Sequence, residues 1–368
     1  MKNSTLSKSL CLLALAGFCG CLLLWLSGAR TPAAGALIAS FALLALSSSL
    51  SERFQSLSFT LWVLAVAGWA VYQPGLFISA GGYPLKNLIS PLIQVIMLGM
   101  GVTLTTEDFK RVLQMPRATF IGAGLQYGIM PFFGWACAMV FRLPPDTAVG
   151  LILVGSAPGG TSSNVINYLA GANVPLSVTM TTFSTLISPV MTPLAMKVLA
   201  GKIIPVEFLP LMVSILNMIF FPVVAGVLIN RYLPRVAAAT ARFLPAVCMA
   251  SICLIIAITV AMSRDDLFRI GLPLFFAAAC HNGIGFGLGY GLARLLGLNR
   301  TDSRTVGVEV GMQNCGMATG LAFGVLKSPA AALPSAVFGP WSTVAGSILA
   351  SWWRRRIPRE EPPTGLAP

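Results

Sequence analysis

Apolar residues fill this chain in blocks of roughly 17–25 residues parted by short polar breaks, and a helix of that length crosses about 30 Å of hydrocarbon. Ten such blocks follow one another at approximately 57–75, 87–104, 117–141, 147–170, 175–199, 207–230, 240–262, 268–293, 303–326 and 331–353. The alternating segments of about ten residues that mark a membrane β-barrel are not there. The pattern therefore predicts an all-α polytopic membrane protein. Ahead of the ten lie "LCLLALAGFCGCLLLWLSGA", introduced by Lys2 and Lys8, and "AAGALIASFALLALSSSL" (33–50), introduced by Pro32. We read residues 1–56 as a hydrophobic extension of one or two extra helices, the first of which also has the outline of a secretory signal. Phe18 is a poor lead-in to a lipoprotein site at "FCGC".

Two blocks are interrupted. The fourth reads "TAVGLILVGSAPGGTSSNVINYLAG", broken at Ala157, Pro158, Gly159 and Gly160; the ninth reads "TVGVEVGMQNCGMATGLAFG", with glycine at 307, 311, 316 and 320. Fourth of five and ninth of ten is the placement produced by two five-helix repeats, and five being odd, the second repeat is inverted. Matched interruptions in two inverted halves point to a transporter's binding site. The expected architecture is a ten-helix unit with discontinuous helices four and nine crossing in mid-membrane.

Composition agrees with the pattern. Of 368 residues 56% are hydrophobic and 10% charged, against about 25% charged in soluble domains, and the mean hydropathy is +0.83. The net charge of +13 would suggest nucleic acid in a soluble chain. Here it reads as a topology signal, with no nucleic-acid partner. Breaks after even-numbered blocks carry Lys110, Arg111, Arg117, Arg231, Arg235, Arg242, Arg294, Arg300 and Arg304, and the tail adds Arg354, Arg355, Arg356 and Arg359. Opposite breaks carry only Lys86, Arg142, Lys202, Arg264, Arg269 and Lys327. This bias predicts both termini in the cytoplasm, and the expected location is a cell inner membrane. The eight cysteines lie in apolar runs without metal-type spacing and are expected to be small buried side chains.

Among the eleven acids only Glu309 falls well inside a block, and that block is a broken one. Carbonyls released at half-helix C-termini favour cations, and freed N–H groups at half-helix N-termini favour anions. A hard cation wants several oxygen ligands. Gln313 and Asn314 stand beside Glu309; the other broken block offers Thr161, Ser162, Ser163, Asn164 and Asn167; "PLSVTMTTFSTLISP" (175–189) adds Ser177, Thr181, Thr182, Ser184 and Thr185. Gln94 and Gln126 are intramembrane amides that could serve as interhelical glue or as ligands. The run "HNGIGFGLGYG" after Cys280 lacks the strand of a nucleotide loop, and its two glycine faces read as close helix packing. His281 reads as structural or as minor polar lining. An intramembrane enzyme would need a second buried acid or a partnered Ser or His, and none is evident.

At these residues the chain resembles the bile acid:sodium symporter family, bacterial homologues of the apical bile acid transporter included. The resemblance is carried by "LILVGSAPGGTSSNVINYLAGANVPLSVTMTTFSTLISPVMTPL" (151–194), "HNGIGFGLGYGLA" (281–293) and "TVGVEVGMQNCGMATGLA" (305–322), with support from 97–131, and it covers residues 57–355. It implies a panel domain (57–104 and 207–262), a core domain (117–199 and 268–353) and a cytoplasmic tail (356–368). It implies one sodium site at Ser163, Asn164, Ser177, Thr181 and Glu309. A second falls at Gln126, Glu309, Val310, Met312 and Gln313, with Val310 and Met312 acting through backbone carbonyls. An organic anion is expected near Thr161 and Asn314. The implied activity is sodium-coupled import of a bile acid-like, pantoate-like or 2-oxo acid by alternating access, with two co-transported sodium ions. A proton-coupled or exchange-type permease on the same scaffold is the alternative. "GSAPGG" and "TSSN" depart from the common family pattern without removing an implied ligand.

Overall fold

The structure, a computed structural model, describes residues 2–27, 29–50 and 55–355. Expectations for Glu52, Arg53 and the tail from Arg356 onward lie outside these residues. The described chain is helical almost throughout. Helices α1 (Lys2–Leu26) and α2 (Arg30–Ser49) pair as a hairpin, with Ser7 Oγ donating to the Ser47 carbonyl at 3.0 Å and Phe18 edge-on to Phe41 at 5.3 Å. Then follow α3 (Gln55–Tyr72), the short α4 (Gly75–Ile78), a two-residue-per-strand hairpin (Ser79–Ala80 with Tyr83–Pro84), a 3-10 turn (Leu85–Leu88) and α5 (Ile89–Thr103).

The fourth and ninth blocks are each two half-helices. After α6 (Thr106–Gln114) and α7 (Pro116–Val140) come α8 (Pro145–Ser156) and α9 (Ser162–Leu169). Next are α10 (Val174–Leu199), α11 (Phe208–Ile215), a π-helical turn (Leu216–Phe220), α12 (Phe221–Tyr232), α13 (Pro234–Ala241), α14 (Leu244–Met262) and α15 (Arg264–Leu295). The chain closes with α16 (Arg300–Gly311), α17 (Cys315–Gly324) and α18 (Pro329–Arg354). Seven helical stretches of the described residues are long and apolar enough to cross a membrane singly. The halves of the broken helices are not among them: α8, at 12 residues, spans roughly 18 Å. Each crosses only in combination with its partner half.

Three features differ from expectation. The polar breaks near 105–115 and 233–243 contain helices α6 and α13. The first is nucleated by a capping box in which Thr105 Oγ1 accepts from Asp108 N, while Asp108 Oδ2 accepts from Thr105 N at 2.8 Å. Helix α15 begins at Arg264, four residues before the apolar block. Of the eight cysteines only Cys137 and Cys253 are buried; Cys19 and Cys280 are exposed on helix faces, where a small thiol carries no penalty in lipid.

Ends of even-numbered blocks are tied together on one side of the bundle. Arg117 Nη2 donates to the Leu296 carbonyl at 3.0 Å, Asn173 Nδ2 to Asp302 at 2.7 Å, and Asn230 Nδ2 to the Leu104 carbonyl at 2.7 Å. The arginine-rich breaks thus converge. Glycine sets the closest approach nearby: a Cβ on Gly101 of α5 would fall 2.2 Å from the Val223 carbonyl oxygen, and one on Gly226 of α12 would fall 2.4 Å from that of Leu98. Gly101→Val therefore drives the two backbones apart, at a cost of about 1–3 kcal/mol or more. Thermal unfolding of the purified protein is expected to show the loss, with Gly124→Ala, which has open space at its Cβ, as the neutral control.

Candidate functional site

Proline cannot donate a hydrogen bond and biases the preceding residue to extended geometry. Ala157, at φ −73° and ψ 155°, ends α8 accordingly. The α16 helix stops at Met312 (φ −109°, ψ 113°), and Asn314 starts α17 by accepting from Met317 N at 3.0 Å. The two gaps lie against each other. Gly160 N donates to the Met312 carbonyl at 2.9 Å and Asn314 N to the Pro158 carbonyl at 2.9 Å, an antiparallel bridge centred on Gly159 and Gln313. Gly160 admits this approach, since a Cβ there would fall 2.7 Å from the Gln313 carbonyl oxygen.

Side chains take four further carbonyls at the gaps. Gln126 Nε2 donates to Ala157 O at 3.0 Å, Thr192 Oγ1 to Ser156 O at 2.7 Å, Asn282 Nδ2 to Gly311 O at 2.8 Å, and Gln313 Nε2 to Val310 O at 2.7 Å. Gln126 Nε2 also donates to Gln313 Oε1 at 2.7 Å, so an amide chain links α7 to both breaks.

Glu309 sits one turn before the second gap and is 2% exposed. Helical spacing puts Ser163 and Asn167 on one face of α9, and Ser177, Thr181 and Ser184 on one face of α10. These faces close on the carboxylate. Oε1 accepts from Ser163 Oγ and Ser177 Oγ, with Asn167 Nδ2 at 3.5 Å; Oε2 accepts from Thr181 Oγ1 at 2.8 Å. Ser177 Oγ further bridges to Asn164 Oδ1 at 2.7 Å. Gly159 lies over the other oxygen, where a Cβ would be 2.8 Å from Oε2. Among the described residues no Lys or Arg pairs with Glu309. Two buried amide oxygens nearby, Gln126 Oε1 and Asn167 Oδ1, and the hydroxyls of Thr182 and Thr185 have no hydrogen-bond partner.

A family model described as the sodium bile acid symporter family matches residues 90–270. An uncharacterized sodium-dependent transporter of Bacillus subtilis, YocS, is 38% identical over 310 residues, covering 84% of this chain and 95% of the relative. A probable sodium/metabolite cotransporter of the chloroplast in Arabidopsis thaliana is 34% identical over 305 residues, covering 83% of this chain and 75% of the relative. The chain belongs to the sodium bile acid symporter family. It is a multi-pass membrane transporter of a sodium-dependent class, and not an enzyme.

The residues expected for the first sodium site, Ser163, Asn164, Ser177, Thr181 and Glu309, are all within one hydrogen-bonded cluster; Asn164 alone is only partly buried. Those expected for the second, Gln126, Val310, Met312 and Gln313, surround the second gap and are buried. The Val310 and Met312 carbonyls each already accept one hydrogen bond, and a carbonyl has a second lone pair. Asn314 is buried at the crossing, whereas Thr161 is exposed at the start of α9. Asn167 and Ser184 were visible only as oxygens in the vicinity; Ser184 Oγ accepts from Gly159 N at 3.3 Å. Asn282 was missed. Its one sequence signal is an amide inside an apolar block, obscured by the glycines around it. Gln94 does serve as glue, donating to the Asn217 carbonyl at 3.2 Å, and His281 is buried with Nε2 2.8 Å from the Met130 carbonyl.

Replacing Gln126 with Leu leaves the Ala157 carbonyl and the Gln313 amide oxygen without their donor. The expected loss is about 1–3 kcal/mol of stability, measured by thermal unfolding in detergent.

Proposed function

We propose that the protein is a sodium-coupled symporter that imports an organic anion, of the bile acid-like, pantoate-like or 2-oxo acid type, by alternating access. The observation that carries this reading is the Glu309 carboxylate, buried at the meeting of two interrupted helices and ringed by hydroxyls without a basic partner among the described residues. An ionised carboxylate in such surroundings needs a counter-charge. A hard cation bound by carboxylate, hydroxyl, amide and carbonyl oxygens supplies one. We assign one sodium to Ser163, Asn164, Ser177, Thr181 and Glu309, and a second to Gln126, Glu309, Gln313 and the carbonyls of Val310 and Met312. The unpartnered Gln126 Oε1 supports the second assignment.

Two sodium ions on one carboxylate leave a surplus positive charge. An anion at Thr161 and Asn314, facing the starts of α9 and α17, balances it. The complex of two sodium ions and a monoanion carries one net charge, worth about 2.3 kcal/mol per 100 mV of membrane potential in the inward direction. In this mechanism a core (117–199 and 268–353) rocks against a panel (57–104 and 207–262). A cavity of about 410 Å³ lined by Lys86, Asn87 and Met262 from one side and Phe323 and Lys327 from the other supports that division, and its two lysines suit an anion's approach. The broken helices fall fourth and ninth among the ten apolar blocks counted from the one that forms α3, which supports two inverted halves. The convergence of arginine-rich ends supports cytoplasmic termini, and the membrane we propose is a cell inner membrane.

The test is uptake into proteoliposomes, with the substrate first found by screening bile acids, pantoate and 2-oxo acids for sodium-dependent thermal stabilisation. Replacing sodium by choline at constant pH is expected to stop import. Import that persists and follows the proton gradient would reassign Glu309 to a proton. Glu309→Gln is expected to abolish sodium-dependent uptake while the protein still inserts, and full uptake by that variant would refute the site. Gly159→Ala, which presses a methyl on Oε2, is expected to weaken sodium binding by roughly tenfold, about 1.4 kcal/mol, read from the sodium dependence of melting.

A further inference from the structure

The glycines of α15 divide into two rows with different surroundings. A Cβ on Gly285 would fall 2.9 Å from Gly311 Cα, and one on Gly289 would fall 2.9 Å from Val310 Cβ, so this row exists to seat α16. Gly283, Gly287 and Gly291, on another face, meet nothing within 4 Å. Close packing, the role expected for both rows, does not account for the second. Gly283 and Gly287 instead line a cavity of about 920 Å³ among α15, α16 and α18. None of the side chains described at the helix crossing lines it.

The cavity is apolar along its length and cationic at one end. Tyr290 and Trp353 form an aromatic wall, their rings 5.5 Å apart, and Arg294, Arg300 and Arg304 close the end. Along α15, Gly283 and Arg294 are roughly 16 Å apart. No carboxylate among the described residues pairs with any of the three arginines. The Arg304 guanidinium stands over the Trp353 ring at 5.8 Å, and its Nε is buried without a hydrogen-bond partner. Topology alone asks only for positive charge near a membrane face. It does not ask for three guanidinium groups around one cavity, one of them with an unsatisfied buried donor.

The geometry points to a binding site for an anionic phospholipid, its phosphate held by Arg294, Arg300 and Arg304 and an acyl chain laid along Gly283 and Gly287. Guanidinium groups bind phosphate oxygens in pairs. Basic pockets between membrane helices suit anionic headgroups, and Tyr and Trp belong at the headgroup level. The smooth glycine row on an exposed helix face provides a channel for a flexible chain, for which a soluble phosphate compound has no use.

The test uses the full-length protein in neutral detergent, with thermal unfolding and native mass spectrometry as readouts. Phosphatidylglycerol is expected to raise the melting temperature and remain bound, and phosphatidylcholine to do neither. Inorganic phosphate and glycerophosphate are expected to have no effect at the same concentration. Each arginine changed to glutamine is expected to weaken phosphatidylglycerol binding by roughly fivefold, and the R294Q/R300Q/R304Q variant on the order of a hundredfold. Gly287→Leu keeps all three arginines and has open space for its side chain, yet is expected to lose bound lipid by filling the channel. Equal stabilisation by phosphatidylcholine, or unchanged phosphatidylglycerol binding in both variants, would overturn the site. A response to glycerophosphate matching that to phosphatidylglycerol would overturn the lipid assignment.

Discussion

A backbone N–H or C=O without a partner in hydrocarbon costs several kcal/mol, and this constraint governs the centre of the molecule. Two helices stop and restart at the same level, yet each gap supplies what the other lacks. Gly160 N and Asn314 N reach across to the carbonyls of Met312 and Pro158. Side chains of Gln126, Thr192, Asn282 and Gln313 take the neighbouring carbonyls. Because the remaining polar groups come from α7, α10 and α15, these helices are held against the crossing by hydrogen bonds.

That arrangement gathers side-chain oxygens around one carboxylate. Hydroxyls of Ser163, Ser177 and Thr181 face Glu309. Those on α9 and α10 arrive at helical spacing, so their positions follow from helices rather than from loops. The site is dense in acceptors and hydroxyls and has no basic group within it among the described residues. Such a composition offers oxygen atoms to Glu309 and no positive side chain to neutralise it.

Much of this was legible in the sequence. Apolar length marks helices reliably when lipid is the solvent, and proline followed by two glycines announces a break wherever it falls. Glu309 stood out because ten other acids lie near polar breaks. The second break was harder to bound, since "GMQNCG" contains no proline, and its limits depend on Asn314 capping α17. Helix α6 could have been read from "TTED", a capping sequence hidden inside a break that hydropathy treats as loop. Asn282 could not, because its value depends on which carbonyl α16 leaves free opposite it. The two glycine rows of α15 are indistinguishable in sequence; only the neighbours of each face separate the row that packs from the row that does not.

The reciprocal closure of the two gaps also bears on biogenesis. Pro158 and Gly160 leave the ribosome long before Met312 and Asn314, with α9 through α16 still to be made between them. Until the later segment arrives, the earlier gap has only side chains of its own half, such as Gln126 and Ser184, to occupy it. The first five spans can enter the bilayer in order, but their centre is completed only by the last third of the polypeptide. A chain that stops before α16 lacks both the Met312 carbonyl and the Asn314 N–H that close the first gap.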